Sequence, residues 1–118
     1  MISSSELNSP GPSPAVIPDW TATTPPTEPN TYRELLRVPA LAVGRFAATP
    51  GYEYERDLHT EDEIYFIATG EADLIVGTDT LPVRTRSLAY VPAGVAHRFT
   101  NIREPLQVLV FFATAPST

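Results

Sequence analysis

From residue 31 onward, turn-forming residues divide the sequence into short apolar or alternating runs, and this punctuation constrains the fold more than any other feature. Breaks fall at Thr49-Pro50-Gly51, Thr69-Gly70, Gly77-Thr78-Asp79, Pro92-Ala93-Gly94 and Arg103-Glu104-Pro105. Between them the stretches Arg33–Val38, Leu41–Ala47, Glu53–Leu58, Glu63–Ala68, Ala72–Val76, Ser87–Val91, Ala96–Asn101 and Gln107–Phe112 read as strands. Such a series of short strands with Gly, Pro and Asp between them predicts an all-β sandwich or barrel. Only Thr31-Tyr32-Arg33-Glu34-Leu35-Leu36 offers a competing helical turn.

Residues 1–30 are of a different kind. They hold seven of the thirteen prolines, as in Ser9-Pro10-Gly11-Pro12-Ser13-Pro14 and Thr24-Pro25-Pro26. Proline fixes φ and removes a backbone donor, so an extended or disordered arm is expected there, with a barrel domain over 31–118. The patch Ala15-Val16-Ile17-Pro18-Asp19-Trp20 is its apolar exception, with Ile17 and Trp20 as the residues that would dock on a barrel face or a neighbouring subunit.

Charge narrows the partners. The net charge is -6, with all eight basic residues arginine. Nucleic acid and anionic membranes both select basic surfaces, so neither is an expected partner. No apolar run approaches the roughly 20 residues of a membrane span, and Met1-Ile2-Ser3-Ser4-Ser5-Glu6 lacks the basic start and apolar core of a secretory signal. The absence of cysteine excludes disulfides and thiolate ligands and fits a reducing cytoplasm. A chain of 118 residues makes one domain with a thin stability margin, so a homodimer formed by pairing sheet edges is expected.

The chain has only two histidines, His59 and His97. His59 lies in Asp57-Leu58-His59-Thr60-Glu61-Asp62-Glu63, where alternate residues share a face if the segment is extended. A turn at Thr60-Glu61-Asp62 would also let His59 and Glu63 converge. Six carboxylates (Glu53, Glu55, Asp57, Glu61, Asp62, Glu63) fall within eleven residues, opposed there by Arg56 alone. Inward-facing members of such a group repel one another unless protonated or bound to a cation. Two imidazoles and one carboxylate on a β scaffold form the ligand set of non-haem Fe(II) oxygenases, and Zn, Mn, Ni and Co accept the same donors.

The arrangement of these residues among the glycines and prolines resembles the cupin superfamily. That family's first motif, G-x5-H-x-H-x3,4-E-x6-G, is matched by Gly51, Asp57, His59, Glu63 and Gly70. Its second, G-x5-P-x-G-x2-H-x3-N, is matched by Arg86, Pro92, Gly94, His97 and Asn101. The resemblance covers about residues 35–113 and leaves the arm outside. Two positions depart from it. Arg86 replaces a turn glycine. Asp57 replaces the first of the paired histidines, and three roles stand open for it: direct ligand, ligand through water, or acceptor orienting His59.

The resemblance implies a single small cupin, a jelly-roll-like β-barrel, holding a divalent transition metal inside through His59, Glu63 and His97, with Asp57 as the fourth candidate. Iron is the first expectation, with Mn, Ni, Zn or Co as substitutes. Tyr65 and Ile67 should share the inner face with Glu63, and Phe99 and Asn101 should share it with His97. Tyr65 is the candidate acid, base or substrate-orienting group. Phe99, Arg45 and Gln107 are further substrate-binding candidates, with Tyr90 a weaker one. The implied activity is dioxygenase-type chemistry on a small organic molecule. Metal-assisted lyase, decarboxylase, isomerase or cyclase chemistry, a metal-free sugar epimerase, and a non-catalytic binding module are the alternatives.

Overall fold

The structure is a computed structural model that describes residues 13–21, 30–54 and 60–114. The described residues form six strands: β1 (Thr31–Arg37), β2 (Leu41–Ala48), β3 (Glu63–Val76), β4 (Asp79–Arg84), β5 (Leu88–Val91) and β6 (His97–Ala113). Every pairing is antiparallel, in the order β1-β2-β6-β3-β4, with β5 joined to the first part of β3. The architecture is all-β and of jelly-roll type, and the sheet does not close into a ring among the described residues. No described helix is long and apolar enough to cross a membrane. Residues 13–21 form no strand; Val16 and Ile17 are exposed and Trp20 is half-buried.

Three sequence expectations meet the structure here. The strand expected over Arg33–Val38 is β1, and the competing helical turn at residues 31–36 does not form. The pairing of β1 with β2, from Thr31↔Ala47 to Arg37↔Ala42, outweighs the local helix preference of Glu34-Leu35-Leu36. Second, Thr69-Gly70 and Arg103-Glu104-Pro105 do not end strands. They lie inside β3 and β6, whose mutual register shifts between Ile67 and Thr69, Thr69 and Glu71, and Glu71 and Asp73. A bulge and a turn draw on the same residue types, since both need an unusual φ, and Gly70 here has φ +114°. Third, β4 was not expected as a strand. It tolerates Pro82 because it runs at the edge, paired on one side with β3.

The shifts change which alternate residues point inward. In β3 the buried set is Glu63, Tyr65 and Ile67 before Gly70 and Ala72, Leu74 and Val76 after it. In β6 it is His97 and Phe99 at the start, Ile102 in the middle, and Leu106, Val108 and Val110 later. Ile67, Leu74, Val91 and Val108 are fully buried and anchor one core cluster. Each contributes about 1.5–3 kcal/mol by leaving water.

The long β3–β6 ladder also bends. It pairs Glu63 with Phe112 at one end and Val76 with His97 at the other. A straight ladder of this length would hold its ends ~40 Å apart. The irregular middle lets it curl, and the side chains of Glu63 and His97 meet.

Candidate metal centre and its pocket

Glu63 opens β3, His97 opens β6, and both side chains are almost wholly buried at 4% and 2% exposure. His97 Nε2 lies 2.8 Å from Glu63 Oε2. The other ring nitrogen is 2.8 Å from the carbonyl oxygen of Val95. A carbonyl only accepts, so Nδ1 carries a hydrogen, and in the neutral ring Nε2 turns its lone pair towards the carboxylate. Two electron-pair donors facing each other in a buried wall suit a cation held between them. Their separation is near that of adjacent ligands on one ion with bonds of about 2.1 Å. The Val95 contact is the kind of outer hydrogen bond that fixes a metal-bound imidazole. Among the described residues no third ligand joins the pair. His59 and Asp57, the other two candidates, lie outside the described residues.

Tyr65 follows Glu63 on the inner face of β3 and is buried. Its hydroxyl donates to Glu63 Oε2 at 3.2 Å, and its ring lies 6.1 Å from that of His97 and 5.3 Å from that of Phe99. Beside these groups lies a cavity of about 310 Å³. Its described lining is mostly aromatic: Tyr32, Phe46, Tyr52, Tyr54, Tyr65, Phe99 and Phe112, with Glu63 as the one charged group. Phe46 and Phe99 stack at 5.7 Å with their planes 11° apart, and Tyr52 stacks on Tyr54 at 5.6 Å.

Tyr52 and Tyr54 reach the cavity because their segment is tied to β6. Gly51 N–H donates to Ile102 O at 3.1 Å, and Phe99 N–H donates to the Tyr54 hydroxyl at 2.8 Å. Between them the Glu53 carboxylate accepts from Thr100 Oγ1 at 2.9 Å and from Arg98 Nη1 at 2.8 Å. The Thr100 hydrogen bond, a backbone bond from Asn101 and the Arg98 charge hold the Glu53 carboxyl below its ordinary pKa. These ties hold the segment against β6 as far as Tyr54.

Tyr32 shows how local sequence creates the pocket. Its ring lies over Gly44 on the neighbouring strand, and a Cβ built on Gly44 would fall on that ring. Only a residue without a side chain leaves this space. Burial, then the charges of Glu34 and Glu63, push the Tyr32 phenol up to about 12 against the opposing effect of Arg37. The folded state therefore favours the protonated phenol. Its contribution to stability is complete below the unfolded value near 10 and fades as pH rises through 12. Ultraviolet titration of the metal-stripped protein should show a phenolate wave near pH 12 that Tyr32→Phe removes. Loss of a wave near pH 10 in that variant would contradict the placement.

Other candidates fall elsewhere. Arg45 and Gln107 alternate with the inward residues Phe46, Leu106 and Val108, and so lie on the outer face of the sheet, away from the cavity. The mid-strand charge of Arg45 therefore does not mark a substrate carboxylate site on the inner face. Tyr90 is exposed, its hydroxyl donating to Asp62 Oδ1 at 3.1 Å. Asn101, expected to face inward, is exposed at φ +48°, and its amide donates to Asp73. Arg86, in place of the motif glycine, takes the same left-handed backbone at φ +75°. Tyr32, Phe46, Tyr52, Tyr54 and Phe112 were missed as lining. The alternation Tyr52-Glu53-Tyr54 was a legible signal for two of them.

Comparison with known proteins agrees with this fold. The sequence profile of the cupin domain matches residues 44–112. An uncharacterised protein of Streptomyces coelicolor is 42% identical over 88 residues, covering 75% of this chain and 84% of that protein. The crystal structure of a Thermus thermophilus protein superposes with a TM-score of 0.66 at 24% identity, over 76% of this chain and 88% of the other. The DMSP lyase DddQ from Ruegeria pomeroyi gives a TM-score of 0.68 at 21% identity, over 82% of this chain and 53% of the lyase. At these identities the likeness to the two structures is one of fold.

Proposed function

The chain belongs to the cupin family, and on that premise we propose that it is a metal-dependent enzyme acting on a small organic molecule held in the aromatic cavity. The observation that carries this reading is the buried meeting of Glu63 Oε2 and His97 Nε2, 2.8 Å apart, with Glu63 in the cavity wall. These two residues, with His59 and with Asp57 as a fourth candidate, would hold the divalent ion. Iron is the first assignment, because two imidazoles and a carboxylate with open positions suit it. When bound, such an ion supplies Lewis acidity and, as iron, the capacity to react with O2.

The chain's own residues set the conditions for that chemistry. The rings of Phe46, Phe99 and Phe112 keep water from the substrate and favour a flat or apolar body. The Tyr32 phenol, held protonated, is a hydrogen-bond donor at the cavity wall. Tyr65 is placed to hold a proton beside a ligand oxygen, since its hydroxyl already donates to Glu63. Dioxygenase-type chemistry is the first reading. The Tyr65–Glu63 contact favours a second, metal-assisted lyase or isomerase chemistry, in which a proton moves at the Tyr65 oxygen.

Anaerobic reconstitution with Fe(II), followed by plasma mass spectrometry, should find about one equivalent of iron per chain. Nitric oxide should then give the half-integer-spin resonance of a ferrous site with an open position. No bound metal of any kind after reconstitution would overturn the proposal. A screen of small aromatic and enolic acids in air and under argon divides the two chemistries. Turnover in air alone assigns the oxygenase, and equal turnover in both assigns the lyase or isomerase.

A further inference from the structure

A short length of chain, separate from the curled ladder, also joins Glu63 to His97. Glu63 pairs with Val91, the last residue of β5, and from there the loop Pro92-Ala93-Gly94-Val95-Ala96 leads directly to His97. The path of this loop decides where the imidazole lands relative to the carboxylate. It turns at Gly94, with φ +75°. Its far end is fastened to the turn between β3 and β4, where Gly77 N–H donates to Ala96 O at 2.8 Å. Its near end is fastened by Asp62, whose Oδ1 accepts from Ala93 N–H at 2.9 Å and from the Tyr90 hydroxyl at 3.1 Å.

We infer that Asp62 is a positioning residue, which sets the spacing and ring orientation of the Glu63–His97 pair. It immediately precedes Glu63 in the chain, and its carboxylate grips the loop that delivers His97. One residue thereby holds the approaches to both partners. Its own backbone is steadied from β6, since Ala113 N–H donates to Asp62 O at 3.4 Å. Glu63 is buried and Asp62 is exposed, so Asp62 acts through the loop and not as a ligand.

The hold reaches the ring through Val95, two residues beyond Ala93, whose carbonyl accepts from His97 Nδ1 at 2.8 Å. If the loop shifts, that carbonyl shifts with it, and the ring loses the contact that fixes its tautomer. For metal binding the inference rests on the function proposed above. Hydrogen-bond partners that orient a ligand are worth about tenfold to a hundredfold in metal affinity.

Titration of the full chain with cobalt(II), followed by its visible ligand-field bands, reads affinity and ligand geometry together. Asp62→Ala should weaken cobalt binding about tenfold to a hundredfold and shift the bands of the loaded protein. Asp62→Asn keeps an acceptor oxygen in the same place and should restore most of the affinity and the wild-type bands. Tyr90→Phe removes the other donor to Asp62 and leaves the Ala93 bond, so it should bind as the wild type does. Unchanged bands in Asp62→Ala would make Asp62 a contributor to stability alone and overturn the inference. Asp62→Asn as weak as Asp62→Ala would assign the effect to charge, and Tyr90→Phe as weak would assign it to β5; either overturns it too.

Nitrogen-15 spectra of the metal-free protein give a test that needs no ion. The His97 ring signals, assigned by their loss in His97→Gln, should show the Nδ1–H tautomer in the wild type and in Asp62→Asn, and an average of both tautomers in Asp62→Ala. A wild type that takes up no cobalt counts against the metal reading alone. Identical His97 signals in all three proteins would overturn the positioning role.

Discussion

Replacing His97 with alanine should strip the metal from the protein and destabilise the barrel. The imidazole is 2% exposed and faces Glu63, itself 4% exposed. Its removal takes away one metal donor and leaves a carboxylate buried beside a new cavity. Leaving one side of a buried polar contact without its partner typically costs about 1–3 kcal/mol, and more where a charge is left behind. Metal content should fall from about one equivalent to near zero, and the metal-free variant should unfold at markedly lower urea concentration than metal-free wild type. Gln107→Ala, on the outer face, should keep full metal content. His97→Ala with undiminished metal would remove His97 from the centre, and equal metal loss in Gln107→Ala would show that the assay reads stability instead of ligation.

The second large effect is expected at Gly70. An added Cβ there would lie 2.6 Å from Pro105 O and 2.7 Å from Leu106 Cα, both backbone atoms with no rotamer to yield. The backbone is also at φ +114°, outside the range a side chain tolerates. Gly70→Ala should therefore lose about 3 kcal/mol through strain and overpacking together. For a domain of this size that is about 15 °C in Tm, readable by calorimetry. Gly51→Ala makes the control, since its φ is also positive at +80° but nothing lies within 4 Å of the added atom. It should cost about 1–2 kcal/mol, the price of the left-handed conformation alone. Equal losses at both positions would mean that β3 and β6 do not approach closely at the bulge.

What the sequence made legible follows from where local chemistry is unambiguous. The alternation around Glu63 and His97 placed Tyr65, Ile67 and Phe99 on the inner face, because a strand of period two allows no other arrangement. Strand ends were less legible. Gly70 and the run Arg103-Glu104-Pro105 are as good at bending a strand as at ending one, and only the partner strand decides between the two. Tyr32 fell just before the strand expected from Arg33, and the face it takes depends on the pairing of β1 with β2. Arg45 was visible as an odd charge, but the side it faces depends on the register of β2 with β6, which no local pattern encodes. Asp57 and His59 remain candidates from the sequence motif, outside the described residues.

The curl of the β3–β6 ladder carries a consequence for unfolding. Glu63 and His97 begin the two longest strands, yet they touch, so anything that bridges them ties the chain into a closed loop of about thirty-five residues. Such a tie removes configurations from the unstructured chain, on the logic of loop closure, in which the cost grows as (3/2)RT times the logarithm of length. An ion bound there, as proposed, would behave as a reversible cross-link between the two ends of one ladder. With an ion bound as proposed, unfolding would require that link to open first. The same ion that serves substrate would in that way also act as a latch on the fold.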